Sequence, residues 1–290
     1  MKSILVTGSY GFIPSAYVRE IRKRGFGVIE YDLPDSNILD VDNLREHIKR
    51  ADIVIHFAAV ADLNESAANQ DKNFDVNIRG TYNVASICCQ EYKPLIFIST
   101  CCVYGNSLDD IQLEEKTAPQ AREPYACSKV AGEEILKGMP YLRYMILRIG
   151  TVYGPGMREA LFTFIALDKV NKGETITIHG DGLQSRQLIF IDDLVDGMAR
   201  ATEHFDGVPN CSIINLCGIE HISALDTMFV AQDVVGKRAM WEHGEQRYNQ
   251  TWKENVSIER AWDYFRWTPA TNFVDGMRFT FKNDKRFKCI

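Results

Sequence analysis

The chain has 290 residues, of which 46% are hydrophobic and 25% are charged, so it can form one large domain or a domain with a smaller appendage. Its formal net charge of -6 and the lack of a basic stripe argue against a nucleic-acid-binding surface. No apolar run approaches the roughly 18 residues that a membrane-spanning helix needs. We also expect no signal peptide, because the first residues lack a charged and then apolar pattern and are predicted to form a strand.

The eight cysteines have no spacing typical of a disulfide framework or a zinc site. None forms a CxxC pair, and adjacent cysteines such as Cys88-Cys89 and Cys101-Cys102 rarely bridge each other. Most lie in apolar runs, where a free cysteine behaves as a small hydrophobic residue. We therefore expect a reducing, cytoplasmic location and no bound metal.

The first 32 residues have the layout of a dinucleotide-binding βαβ unit, namely strand, glycine turn, helix, second strand and acid. In order, these parts are 3–7, 8–14, 15–24, 28–31 and Asp32. Glycine at 8 and 11 lets the backbone approach a pyrophosphate, and the helix N-terminus favours that negative charge. Asp32 is placed to bind an adenosine ribose, which favours NAD over NADP. Pro14 replaces the third glycine, although proline is tolerated in the first helical turn.

The alternation of strands and helices continues to about residue 155 and predicts an α/β fold with a Rossmann-type, doubly wound parallel sheet. Further strands are expected at 51–57, 95–100 and 144–148, and helices at 44–48, 75–90 and 123–137. His56, inside an apolar run, is interpreted as a packed strand residue. We expect 1–155 to be the NAD-binding domain, with segments near 175–200 returning to it, and 156–290 to be mainly a smaller substrate-binding lobe. The substrate crevice should lie between the two.

Tyr125 and Lys129 form the strongest catalytic candidate. At positions i and i+4 of a predicted helix they share one face, and a nearby ammonium lowers the pKa of a tyrosine. Such a tyrosine can take a proton from a substrate hydroxyl while a hydride leaves for nicotinamide. The hydroxyl of Thr100, at a strand end before this helix, could share that proton.

Together these motifs resemble the extended short-chain dehydrogenase/reductases, in particular the nucleotide-sugar epimerase/dehydratase family and its UDP-glucose 4-epimerase-like members. The resemblance extends from Val6 to about Leu216. It depends on seven ordered motifs: Gly8-x-x-Gly11-Phe12-Ile13, 52–59, Val76-Asn77-x-x-Gly80-Thr81, Ser99-Thr100-x-x-Val103-Tyr104-Gly105, Tyr125-x-x-x-Lys129, Arg148-x-x-x-Val152-Tyr153-Gly154-Pro155 and Gly180-Asp181-Gly182-x-x-x-Arg186.

The resemblance implies roles for individual residues. The catalytic residues would be Thr100, Tyr125 and Lys129. NAD would be bound by Gly8, Gly11, Phe12, Ile13, Asp32, Asn37, Ile38, Phe57, Ala58, Ala59, Asn77, Tyr125 and Lys129. A nucleotide-sugar substrate would contact Thr100, Cys102, Thr151 and Arg186, with Arg186 on its diphosphate. The resemblance also implies a homodimer formed through the helices at 75–90 and 123–137.

Departures from the family pattern narrow the reaction. Dehydratases of the family have Asp-Glu after the catalytic threonine, and the related decarboxylases usually keep the Glu, whereas this chain has Cys101-Cys102. Both of those reactions are therefore disfavoured. Thr151 stands at a substrate-contacting position where many epimerases have Asn, so we expect unusual sugar recognition. Among the remaining reactions, the resemblance implies an NAD-dependent nucleotide-sugar epimerase acting at C4 through a 4-keto intermediate. The alternatives are a keto-sugar reductase or sugar dehydrogenase with exchangeable NAD(H), and a non-catalytic cofactor-binding protein, which Pro14 and Cys102 would suit.

Overall fold

A computed structural model of the protein describes residues 1–106, 117–246 and 252–288. The sequence also predicts a polar loop at 106–122, and most of this loop lies outside these ranges, as does Cys289. The first half comprises β1 Ser3–Thr7, α1 Phe12–Lys23, β2 Gly27–Tyr31, α2 Val41–Arg50, β3 Ile53–His56, α3 Leu63–Ala68, α4 Gln70–Asn73, α5 Thr81–Gln90, β4 Leu95–Thr100, α6 Pro124–Lys137 and β5 Tyr144–Ile149. The second half comprises β6 Val152–Tyr153, α7 Phe162–Lys172, β7 Ile176–His179, β8 Ser185–Gln187, β9 Ile189–Phe190, α8 Ile191–Glu203, β10 Ser212–Leu216, β11 His221–Ser223, α9 Ala224–Val235, β12 Trp241–Gly244, α10 Glu259–Phe265 and α11 Phe273–Asn283.

Six strands form one parallel sheet in the order β10-β5-β4-β3-β1-β2. The strand order reverses at β1, because β2 lies on one side of it and β3 on the other. In open α/β sheets, a ligand binds beyond the carboxyl ends of the strands at such a reversal. The predicted Rossmann-type fold is confirmed.

Alternating side chains of the buried strands supply two separate apolar cores, one on each face of the sheet. On β1, Ile4 and Val6 point into the core between the sheet and the helices α1 and α8. Leu5 points into the core on the other face, between the sheet and the helices α2, α5 and α6. Both faces of a parallel sheet need this cover, and the strands are accordingly almost continuously apolar.

The helix expected at 75–90 has a different local form. Its first part, Phe74–Gly80, is a wide π-helical segment, and only Thr81–Gln90 is α-helical. At the junction, the Thr81 hydroxyl donates to the carbonyl of Asn77 at 2.6 Å. A Cβ atom on Gly80 would lie 2.3 Å from Cδ1 of Ile38, so glycine permits the close packing there.

Residues 156–290 contribute to the sheet layer as well as to the region above it. The helix α8 packs against α1 beneath the sheet, and β10 is the edge strand beside β5. In the described part of the chain, three short two-stranded sheets and the helices α7, α9 and α11 make up much of the remainder. Among the described residues, no helix is long and apolar enough to span a membrane.

Candidate active site

A cleft of about 620 Å³ lies above the carboxyl ends of β1, β3 and β4, where the strand order reverses. Most of the residues singled out from the sequence share its wall. They are Gly8, Gly11, Phe12, Ile13, Asp32, Asn37, Ile38, Phe57, Ala58, Ala59, Thr100, Cys102, Tyr125, Lys129 and Thr151. Asn77 and Arg186 are not on this wall.

The glycine turn has the shape that a dinucleotide pyrophosphate needs. Gly8 has a φ of +68°, and a Cβ atom there would lie 2.7 Å from the Cα of Ala58. Gly11 is the N-cap of α1, so the first amides of that helix have no partner within it. Pro14 is the third residue of the helix and is buried, and the helix forms around it. The turn therefore fits an anionic cofactor.

Asp32 connects the glycine turn to the end of β2. Its Oδ2 atom accepts the backbone N–H of Tyr10 at 2.7 Å, and its Oδ1 atom accepts the N–H of Leu33 at 2.8 Å. Each carboxylate oxygen has a second lone pair, and the side chain lies on the cleft wall. Asp32 can thus fix the turn and still accept a ribose hydroxyl.

The three catalytic candidates converge from two elements. Thr100 ends β4, while Tyr125 and Lys129 lie in the first two turns of α6. The Nζ atom of Lys129 is 5.9 Å from the centre of the Tyr125 ring and 4.9 Å from that of the Phe97 ring. The Thr100 hydroxyl accepts the N–H of Cys102 at 3.2 Å, so its proton is available to a substrate.

Burial controls the ionisation of this pair. It raises the pKa of Tyr125 well above the usual value, and the charge of Arg158 opposes that rise. Burial also lowers the pKa of Lys129 to about 8, although the Glu133 carboxylate opposes the change. The sequence-based prediction that the lysine lowers the tyrosine pKa is therefore wrong for the chain by itself. The Lys129 ammonium lies nearer to the Phe97 ring than to the Tyr125 ring, and burial disfavours its charged form.

His56 has a more specific role than the apolar packing expected of it. Its Nδ1 atom is 2.7 Å from the Thr7 hydroxyl, and its Nε2 atom is 3.0 Å from the Thr81 hydroxyl. Thr81 donates its own proton to Asn77, so it accepts one from Nε2, and Nδ1 then accepts from Thr7. Burial lowers the pKa of His56 to about 3. The neutral ring therefore links three segments beneath the cleft.

Asn77 supports the cleft from behind. Only 1% of it is exposed, and its side chain both accepts the N–H of Val60 at 2.7 Å and donates to the Val60 carbonyl at 3.1 Å. Its amide also donates to Asn73 and Ser128. Since its hydrogen bonds are made to protein, a direct contact with NAD stays a prediction.

Arg186 lies on β8, away from the cleft wall. Its guanidinium donates to the carbonyl of Ser185 at 2.8 Å. Burial raises the pKa of Glu254 and of Cys102, and the charge of Arg186 opposes both rises. The three groups are therefore near one another. Its contact with a diphosphate likewise stays a prediction.

Arg158 is a site residue that the sequence analysis missed. It lines the cleft, donates to the Ala61 carbonyl at 3.2 Å and pairs with Asp62 at 3.0 Å. Its charge also acts on Tyr125 across the cleft. The signal in the sequence is a cation four residues after Gly154, in the turn after the short strand β6.

The profile of the NAD dependent epimerase/dehydratase family matches residues 4–217. The chain belongs to this family. The uncharacterized UDP-glucose epimerase YtcB of Bacillus subtilis is 26% identical to it over 310 residues, covering 94% of this chain and 95% of that protein. Two of the solved structures that are similar to this chain share its fold over nearly the whole length.

One is the UDP-glucuronic acid 4-epimerase of Bacillus cereus in complex with UDP-glucuronic acid and NAD, with 25% identity and a TM-score of 0.89. It covers 98% of this chain and 99% of that one. The other is the UDP-glucose 4-epimerase of Thermus thermophilus with NAD, with 26% identity and a TM-score of 0.87, covering 99% of each chain. As a family member, this protein is an NAD-dependent enzyme of the extended short-chain dehydrogenase/reductase type.

Proposed function

We propose that the protein is an NAD-dependent nucleotide-sugar epimerase that inverts C4 of the sugar. The observation that carries this proposal is that one cleft wall holds both the cofactor elements and the proton-transfer residues. Gly8, Gly11 and Asp32 lie on it with Thr100, Tyr125 and Lys129. The similarity to epimerases of known structure supports the same reaction.

The residues divide the work between binding and proton transfer. The glycine turn and the first amides of α1 hold the pyrophosphate, and Asp32 holds the adenosine ribose. NAD held there would supply the acceptor for the C4 hydride and the donor that gives it back to the opposite face of the sugar. Tyr125 would take the proton of the 4-hydroxyl as a phenolate, a form that the positive charges of Lys129 and of bound oxidised nicotinamide would favour against the effect of burial, and it would later give the proton back. The Thr100 hydroxyl would donate a hydrogen bond to the same oxygen. Lys129 reaches the nicotinamide ribose and fixes its position.

The charge of Arg158 supports the proposal that the substrate sugar carries a carboxylate. It lies on the cleft wall and acts on Tyr125, so its guanidinium is near the reacting end of the substrate. Arg158 is already paired with Asp62, and a substrate carboxylate would share that guanidinium through its remaining donors. We therefore assign a nucleotide-linked uronic acid as the preferred substrate, as in the Bacillus cereus relative.

The amount of NAD that stays bound through purification tests the proposed function. The protein is purified, denatured, and its released nucleotide is identified by mass spectrometry and counted. If the protein is an epimerase that recycles its own hydride, we expect about one NAD per protein chain and no steady absorbance change at 340 nm during turnover. Continuous NADH consumption or production coupled to turnover would instead establish the reductase or dehydrogenase alternative.

The proposed assembly is a homodimer, and the proposed location is the cytoplasm. Two large apolar side chains on the helical segment 74–90 are half exposed, Phe74 at 52% and Tyr82 at 53%. Their burial against a second copy of the chain would explain this exposure. Light scattering distinguishes the dimer from a monomer.

A further inference from the structure

A buried ion pair lies directly beneath the catalytic helix. Glu133, on α6, is 0% exposed, and Arg148, on β5, is 1% exposed. The Arg148 Nε and Nη2 atoms donate to the two carboxylate oxygens of Glu133 at 2.9 and 2.6 Å. The Ser99 hydroxyl donates to the same carboxylate at 2.6 Å. Such a pair stabilises a fold weakly, because taking both charges out of water offsets much of their attraction.

The ion pair also lies next to the catalytic residues. Glu133 follows Lys129 by four residues on the same helix, so the two side chains lie on one face, one turn apart. Ser99 immediately precedes Thr100 on β4, and Arg148 is its partner on β5. The carboxylate of Glu133 therefore connects the strand that carries Thr100 to the helix that carries Tyr125 and Lys129.

Within the ranges that the structure describes, the Glu133 carboxylate is the charge that opposes the lowering of the Lys129 pKa by burial. Other described groups near the ammonium are the Phe97 ring, the Tyr125 ring and the neutral His56. Around Glu133 itself are the Arg148 guanidinium and the phenol of Tyr144, whose pKa the carboxylate helps to raise. Lys129 is 3% exposed, so water contributes little to holding its proton.

We propose that Glu133 is a positioning residue, which holds α6 on the sheet and supplies the fixed negative charge that keeps Lys129 protonated at neutral pH. This inference rests on the proposed role of Lys129 in the site. It assigns to Arg148 and Ser99 the task of holding the Glu133 carboxylate in place. The Ser99 hydroxyl and the Arg148 guanidinium both donate hydrogen bonds to this carboxylate.

The test is an NMR titration of the lysine side chains in protein with selectively labelled lysine, in which the Lys129→Arg variant identifies the Lys129 signal. In the wild type, Lys129 is expected to titrate near pH 8. In Glu133→Gln, its midpoint should fall by about one pH unit, since an opposite charge has been removed. Glu134→Gln is the matched control. It removes the same charge from the next residue, whose side chain is 60% exposed and paired with Lys137, and should leave the midpoint unchanged.

A purely structural pair would lower the melting temperature of Glu133→Gln without moving the Lys129 midpoint, and that result would overturn the proposal. If Glu133→Gln does not fold, the double variant Glu133→Gln/Arg148→Gln removes both charges and leaves no unpaired ion. A fall in the Lys129 midpoint is still expected from it, but a smaller one than in Glu133→Gln, because loss of the Arg148 cation offsets part of the loss of the carboxylate. The titration needs neither substrate nor turnover, so failure of the proposed epimerase activity would show in separate assays.

Discussion

The carboxylate of Asp32 accepts the backbone N–H of Tyr10 at 2.7 Å, which connects the end of β2 to the middle of the glycine turn. The acid expected to bind the adenosine ribose thus also sets the shape of the loop expected to bind the pyrophosphate. Two halves of the cofactor site therefore depend on one side chain.

Replacement of Asp32 by Asn should weaken NAD binding by at least about tenfold, which corresponds to ~1.4 kcal/mol. An amide has one acceptor oxygen where the carboxylate has two, so its NH2 group would face the N–H of either Tyr10 or Leu33 and that hydrogen bond would be lost, together with one acceptor for the ribose hydroxyls. Calorimetric titration with NAD measures the loss. Asp35→Asn, an exposed neighbour, should bind NAD as the wild type does. Equal affinity in the two variants would remove Asp32 from the proposed cofactor site.

Replacement of Tyr125 by Phe should lower kcat by about 10²–10⁴-fold, the range typical of a general acid–base residue, while NAD stays bound. The change removes one buried hydroxyl and keeps the ring that packs near Lys129. Turnover and released NAD are measured on the same preparation. Tyr141→Phe, at a side chain that is 83% exposed, should show wild-type turnover. A Tyr125→Phe enzyme of nearly normal rate would contradict the mechanism.

Replacement of Arg158 by Gln should reduce kcat/KM for UDP-glucuronate by about 10–100-fold, since a hydrogen bond to a charged group contributes ~1.5–3 kcal/mol. The value for UDP-glucose should change far less, because that sugar offers no carboxylate. Arg278→Gln removes an exposed cation that pairs with Asp275 and is the matched control. A parallel loss for both substrates would show that Arg158 does not recognise a carboxylate.

His56 should make the stability of the protein sensitive to mild acid. Its pKa is lowered to about 3 by burial, whereas in an unfolded chain it is about 6.5, so the unfolded state takes up a proton first. Unfolding should become easier as the pH falls below about 6.5, by up to ~1.4 kcal/mol per pH unit. Replacing His56 with Gln should flatten this slope between pH 5 and 6.5 in denaturant titrations, whereas replacing the exposed His221 should not. Equal slopes would contradict the buried neutral ring.

Local spacing was enough to predict the fold and much of the proposed cofactor site. The glycine turn with Asp32, and Tyr125 with Lys129, lie close in sequence, and helix or strand geometry then places them together. The apolar strands and their alternation with helices likewise predicted the parallel sheet.

Long-range contacts account for what the sequence did not predict. His56 looks like core because its strand neighbours are apolar, and its hydroxyl partners, Thr7 and Thr81, come from distant segments. Arg158 reaches the cleft from the turn after β6, so only the folded chain brings its charge to Tyr125. The direction of the Tyr125 pKa shift depends on burial, which spacing along a helix does not reveal.

The central claim is that the hydride leaves C4 and returns to the same carbon within one enzyme molecule. The most direct measurement uses a UDP-sugar deuterated at C4, in unlabelled water, with NMR and mass spectrometry of the epimeric product. The account predicts that the product keeps its deuterium at C4, with no net formation of NADH. Loss of the label to solvent, or deuterated NADH formed in step with a keto sugar, would contradict it.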